Sequence, residues 1–241
     1  MPVTKNRILK NVQAIRENVA AACERVGRDP QDVSIVAVTK SVDVPTIRNL
    51  IDAGITDLGE NRIQQLLARA EELAGILQRR RTAPVPDLRW HMVGHLQRNK
   101  ARAALGVVSL IHSVDSLRLA EELHNRAEQA GRRADILLQV NCSEEQQKFG
   151  CAVGAATHLG ELICTLGSLR LVGLMTMAPY VTNPEKARPS FVRLRELFEE
   201  MRKAKIGGDT FRHLSMGMSN DYAVAVEEGA TVLRIGTAIF Q

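Results

Sequence analysis

The sequence predicts an α/β protein whose eight parallel strands and crossover helices close into a (β/α)8 TIM barrel. Three observations carry that reading. Short apolar runs recur eight times, amphipathic stretches alternate with them, and 241 residues suit one such barrel. No Pro/Gly/Ser-rich linker, low-complexity tract or internal repeat interrupts the alternation, so residues 1–241 read as a single domain. A doubly wound open sheet is the runner-up, since the same alternation builds it as well.

The elements follow in order. Thr4 is placed to cap a helix that reaches Val26, with Ile8, Val12, Ile15 and Val19 at helical spacing and Gly27 as its stop. This helix precedes the first strand and is extra to the barrel. Strands are expected at 33–38 (VSIVAV), 55–59 (ITDLG), 88–94 (LRWHMVG), 107–112 (VVSLIH), 135–141 (DILLQVN), 169–175 (LRLVGLM), 210–215 (TFRHLS) and 231–236 (TVLRIG). Amphipathic stretches fall between them at 61–78, 116–130, 153–166 and 186–205, and Asp43, Ser116 and Ser219 are candidate helix N-caps.

Composition narrows the functional classes. Apolar residues make up 45% and charged residues 24%, as in ordinary proteins with a sizeable core. Aromatics are only 3%, so the core is built from Val, Leu, Ile, Ala and Met, and base-stacking platforms are not expected. The net charge of +5 comes from Lys and Arg interleaved with Glu, and the densest run, Gln78-Arg79-Arg80-Arg81, reads as a solvated loop beside Pro84 and Pro86. Nucleic acid is therefore not an expected partner. Cys23, Cys142, Cys151 and Cys164 lack metal-ligand or CxxC spacing and read as reduced thiols. With no apolar signal core and no run of 18 apolar residues, the expectation is a soluble cytoplasmic protein without a membrane partner.

The chemistry gathers at the strand ends, where barrels build their sites. The first apolar run ends in Thr39-Lys40, and a lysine there needs a partner or a chemical use. Ser215-Met216-Gly217-Met218-Ser219 and Arg234-Ile235-Gly236-Thr237 follow strands seven and eight and look like phosphate holders. A Lys40 partly desolvated near Arg234 would attack a carbonyl as the free amine, and a phosphorylated aldehyde such as pyridoxal 5′-phosphate (PLP) fits that pocket. The bland alternative is a Lys40 that snorkels to solvent. His91 and His95 have the i, i+4 spacing of a helical metal pair, but their segment reads as a strand, so no metal is expected. His112, His124, His158 and His213 read as structural or surface residues, Met175, Met177, Met216 and Met218 as core and pocket lining. Glu60 reads as a cap or ion-pair partner rather than a general base.

Several segments, in order and spacing, resemble one known family: AVTK at 37–40, LGENRIQQ at 58–65, WHMVGHLQRNK at 90–100, IHSVDS at 111–116, QVN with KFG at 139–150, GLMTMAP at 173–179, LSMGMSNDYAVAVEEGAT at 214–231 and RIGTAIF at 234–240. They are similar to the pyridoxal phosphate homeostasis proteins over nearly the whole chain. The resemblance implies a fold-type III barrel like the N-terminal domain of alanine racemase, with PLP as the cofactor, held as a Schiff base on Lys40. It implies that Ser219, Gly236 and Thr237 contact the phosphate with the backbone at Met216 close by, that Arg234 faces the pyridine ring, and that Asn61 and Ser215 line the pocket. An arginine in that place keeps its proton, so the ring nitrogen stays unprotonated and PLP is a weaker electron sink.

The resemblance further implies a PLP carrier in vitamin B6 homeostasis with little or no catalysis, PLP-dependent apo-enzymes as recipients, and a monomer. The alternatives are an amino-acid racemase of the same fold type and a Schiff-base aldolase-like barrel without PLP. Three departures from relatives stand out. Val42 occupies a position often held by lysine, residues 142–147 (CSEEQQ) differ from the usual loop, and the final Phe240-Gln241 leads to the expectation of a frayed or missing closing helix.

Overall fold

A computed structural model describes residues 3–79, 87–143, 145 and 147–241. The Arg80 and Arg81 part of the basic run, with Pro84 and Pro86, lies outside the described residues. Eight strands form one closed parallel barrel in which each neighbours the next and β8 (Val232–Ile235) returns to β1 (Ser34–Val38). The others are β2 (Asp57–Glu60), β3 (Arg89–Met92), β4 (Val108–Val114), β5 (Ala134–Gln139), β6 (Leu169–Met175) and β7 (His213–Ser215). The open-sheet alternative is thereby excluded.

The N-terminal helix α1 (Lys5–Arg25) buries the predicted Ile8, Val12, Ile15 and Val19 stripe. Thr4 caps it by accepting from the Arg7 amide, and the other end closes with Gly27 at φ +65°. There the Arg28 and Gly27 amides donate to the Cys23 and Glu24 carbonyls, the paired bonds of a left-handed glycine stop. The barrel helices are α2 (Val44–Asp52), α3 (Ile63–Gln78), α4 (Ala101–Leu105), α5 (Leu117–Gln129), α6 (Val153–Cys164), α7 (Arg188–Lys203), α8 (Tyr222–Glu227) and α9 (Thr237–Phe240).

Strand periodicity divides the barrel wall into two faces. Ala37, Leu58, Met92, Ile111, Ile136 and Leu138 join the large core shared with the helices. Their alternates form two small clusters inside the barrel: Val36, Val93 and Val232 with Val38, and Leu110, Leu137, Val172 and Met175. At the amino ends of the strands Arg89 forks onto Asp57 at 2.8 and 2.6 Å, and Arg170 onto Asp135 at 2.5 and 2.9 Å. The apolar clusters and charged pairs close that end, and the opposite rim carries the polar strand ends.

Several boundaries differ from expectation. Strand seven shrinks to His213–Ser215 because Gly208–Thr210 forms a turn of 3₁₀-helix and Phe211 turns into the core against Phe198. Helix α4 was not foreseen, being too short to show a period. Ser219 does not cap α8. Asp221 holds the N-cap position, and Ser219 has other partners. The closing helix α9 is present rather than frayed or missing, because Asn11 Nδ2 of α1 donates to the Ile239 and Gln241 carbonyls at 2.9 and 2.8 Å.

Candidate functional site

Strand pairing puts the first and last strands side by side, and with them Lys40 and the glycine turn. Val36 pairs with Arg234, Ala37 with Ile235, and Val38 with Gly59. Lys40 and Asn61 stand two residues past the Val38–Gly59 pair, and Gly236 one residue past Ile235. Lys40 opens the turn after β1, which closes through Val42 N–H to the Thr39 carbonyl at 3.1 Å. The alternation that sends Val36 and Val38 inward, and Thr39 outward to Glu60, assigns Lys40 to the mouth of the barrel. Its side chain is exposed, not desolvated beside Arg234 as expected, because the turn lifts it past the strand end.

Beside it lies a cradle of backbone donors. Ser219 Oγ accepts from the Gly236 amide at 3.3 Å and the Ala238 amide at 3.1 Å. Two peptide donors converging on one oxygen are an arrangement suited to an anion. Gly217, at φ +91°, shapes the loop: a Cβ there would stand 2.6 Å from the Ala225 Cβ. Asp221 Oδ1 takes the Met218 amide at 2.6 Å and braces the same loop. Thr237 is exposed at the start of α9. Met216 sits behind the cradle, its amide bonded to the Val232 carbonyl and its side chain in the main core. Asn61 faces the rim with a buried Oδ1 that has no partner among the described residues.

Beneath the mouth a chain of hydrogen bonds fills the barrel interior. Arg234 Nη1 donates to Ser215 Oγ at 2.6 Å, and its Nη2 to the Thr176 carbonyl at 2.8 Å. Ser215 Oγ lies 2.9 Å from His112 Nδ1, His112 Nε2 lies 2.9 Å from His91 Nδ1, and His91 Nε2 lies 2.9 Å from Asp57 Oδ1. Arginine only donates and an ionised carboxylate only accepts. With both rings neutral, the hydroxyl therefore donates to His112 Nδ1, His112 Nε2–H donates to His91, and His91 Nε2–H donates to Asp57. Burial first, then the neighbouring His91 and Arg234, push the His112 pKa well below the ordinary histidine value, which keeps the ring neutral as this order requires. Burial lowers Arg234 to about 10, still charged at neutral pH. Burial raises Asp57, but hydrogen bonds from His91 and Arg89 outweigh it and leave the carboxyl below its usual range.

Sequence reasoning placed Lys40, Asn61, Ser215, Ser219, Arg234, Gly236 and Thr237 at one rim; the structure sets Lys40, Asn61, Ser219, Gly236 and Thr237 at adjoining strand ends and turns, and buries Ser215 and Arg234 in the interior beneath them. It missed the His91–His112 link, because both residues read as ordinary strand histidines. The signal was their inward parity, His91 beside Val93 and His112 beside Leu110. Glu60 is an ion-pair partner, as expected, of the unforeseen Arg69. His95 stacks on Phe149 with ring centroids 4.2 Å apart. No group of three or more His, Cys, Asp or Glu able to hold a metal occurs among the described residues.

The family model described as "Alanine racemase, N-terminal domain" matches residues 11–241. The chain is 38% identical to the pyridoxal phosphate homeostasis protein of Aquifex aeolicus over 96% of each chain. This chain belongs to the pyridoxal phosphate homeostasis protein family. Among solved structures, a protein from Bifidobacterium adolescentis is 38% identical with a TM-score of 0.90, covering 98% of this chain and 95% of that one. The structure of PipY from Synechococcus elongatus PCC7942 with PLP bound is 32% identical with a TM-score of 0.81, covering 97% of this chain and all of that one. Family membership thus agrees with the closed barrel. No helix among the described residues is long and apolar enough to cross a membrane.

Proposed function

We propose that this chain is one barrel domain that binds PLP through Lys40 and takes part in intracellular PLP homeostasis as a cytoplasmic monomer, with little or no catalysis of its own. The observation that carries the reading is the convergence, on the adjoining ends of β8, β1 and β2, of a two-amide cradle, a lysine and an unpaired Asn61 Oδ1. These groups fit the cofactor. The phosphate would lie at the Ser219, Gly236 and Thr237 turn, Arg234 would face the pyridine nitrogen with Ser215 holding the guanidinium, and Met216 would back the loop. When bound, PLP supplies an aldehyde that condenses with a primary amine and releases water.

The rest is done by the protein's own groups. Lys40 presents its amine at an open mouth. Arg234 is fixed by Ser215 and the Thr176 carbonyl and offers a permanent donor that does not surrender its proton at neutral pH. Asn61 Oδ1 accepts a hydrogen bond from whatever polar hydrogen arrives. Neither tyrosine supports the racemase alternative, which needs a second base across the pocket. Tyr222 is bonded to Asn18 Nδ2 at 2.9 Å, and Tyr180 is 89% exposed.

An absorbance spectrum of the purified protein tests the reading, beside Lys40→Ala and with L- or D-alanine added. A visible band that requires Lys40, without interconversion of the alanines, is the expected result. Steady racemisation moves the protein into the enzyme class, and no band even with added PLP overturns the assignment of Lys40.

A further inference from the structure

Lys40 stands on a turn held from behind. Glu60 follows Leu58 on the outward face of β2 and is fully buried between sheet and helices. It pairs with Arg69 of α3, only part of whose side chain reaches solvent. The Arg69 guanidinium also donates to the Thr39 carbonyl at 2.8 Å and the Val42 carbonyl at 2.7 Å. Those are the carbonyls at the two ends of the turn that carries Lys40. The Glu60 carboxylate further accepts from Thr39 Oγ1 at 2.5 Å, and Thr39 N–H binds the Gly59 carbonyl at 2.9 Å. Lys40 itself makes no ion pair or hydrogen bond among the described residues, so its place depends on its backbone.

Stability does not explain this pair. A buried ion pair pays desolvation on both partners, and a well-packed apolar pair of similar volume is often as stable. No apolar pair could hold two carbonyls of one turn, and neither could lysine, whose ammonium is a point donor on a flexible stem. The planar fork of arginine, oriented by a fixed carboxylate, can.

We propose that Arg69 and Glu60 are positioning residues for Lys40, setting how fast its amine captures an aldehyde. The proposal rests on the reading of Lys40 as the cofactor lysine. In that capture the Lys40 nitrogen attacks the aldehyde carbon, a carbon–nitrogen double bond replaces the carbonyl, and the carbonyl oxygen leaves as water with the two amine hydrogens. Holding the nitrogen near the attack geometry lowers the barrier without touching the phosphate cradle.

The test uses the full chain with PLP as the probe. Capture is followed by stopped-flow absorbance and by the mass of the borohydride-reduced adduct, in wild type, Arg69→Lys and Thr39→Val, with thermal melts alongside. Non-covalent PLP affinity is measured in Lys40→Ala with and without Arg69→Lys. The expected result is capture slowed by roughly tenfold or more in Arg69→Lys, a smaller slowing in Thr39→Val, and equal non-covalent affinity in the two Lys40→Ala proteins. Wild-type capture rates in a folded Arg69→Lys overturn the proposal. So does a fall in non-covalent affinity when Arg69→Lys is added, since a purely structural role predicts that. If Arg69→Lys does not fold, Thr39→Val decides, and an unchanged rate there overturns it. A wild-type protein that forms no Lys40 adduct overturns the PLP reading, and this proposal with it. A normal wild-type adduct with indifferent variants overturns the positioning role alone.

Discussion

Asp57 and Arg234 are the two ends of one hydrogen-bonded chain through the barrel interior, and their fixed charges set the direction of every bond between them. Neither end can reverse its role at neutral pH. With both rings neutral, the two histidines and Ser215 between them are left with one consistent assignment of protons.

That assignment makes stability depend on pH. His112 is neutral in the folded state, its pKa held by burial well below the ordinary histidine value, whereas in the unfolded chain it takes a proton at about pH 6.5. Below that pH the unfolded state binds more protons, so stability falls as the solution is acidified, by up to about 1.4 kcal/mol per pH unit from this one group. His213, also lowered by burial, adds in the same direction. Urea melts between neutral pH and the mildly acidic range should show a shallower dependence for His112→Gln than for wild type, and identical slopes refute the assignment. In histidine 15N spectra of the wild type, His112 should carry its proton on Nε2.

Ser215→Ala removes the hydroxyl that both accepts from Arg234 and donates to His112. Two buried groups then lose their partners, and the expected cost is about 1–3 kcal/mol. Chemical denaturation should show it, and a variant as stable as wild type would mean that the hydroxyl is dispensable.

The cradle is tested by comparing PLP with pyridoxal, which lacks the phosphate. Ser219→Ala frees the Gly236 and Ala238 amides of their internal acceptor but removes the hydroxyl proposed to meet the phosphate. Affinity for PLP should drop about tenfold, worth about 1.4 kcal/mol, while pyridoxal binding stays level. Fluorescence titration with each ligand separates the outcomes, and an equal drop for both would place Ser219 away from the phosphate.

On the outer wall Arg188 Nη1 donates to Glu228 and Nη2 to Glu227, at 2.7 and 2.6 Å, and Arg188 also binds Glu185. Arg195 meets the same nearly buried Glu228. Because Arg188 is partly exposed, solvent screens the pair, and Arg188→Ala should cost roughly 1–2 kcal/mol, below the value of a fully buried pair. The urea midpoint should fall while PLP binding is retained.

The barrel was legible because eight apolar runs alternate with amphipathic stretches, a pattern that local sequence carries directly. The α1 stripe and the Thr4 and Asp43 caps were legible for the same reason. Strand seven was misjudged because its apolar Phe211 is buried by a turn rather than by pairing, which spacing does not distinguish. Ser219 read as a cap because serine before a helix usually is one, and only the pairing of β7 with β8 gives its hydroxyl the Gly236 and Ala238 amides. Lys40 and Arg234 were visible as strand-end residues, yet the exposure of one and the full burial of the other follow from a turn and a barrel interior. Arg69 was invisible, since nothing in a helix marks which guanidinium reaches back to a distant turn.

The neighbours of Lys40 in space are the first and last strands of the ring, joined only when β8 pairs with β1. A chain emerging from synthesis makes Lys40 well before the Ser219 and Gly236 turn. Closing a loop that spans nearly the whole ring is a slow, non-local event. The PLP site proposed for Lys40 is thus completed only when β8 pairs with β1, and a chain that has not yet made β8 carries Lys40 as an ordinary surface lysine.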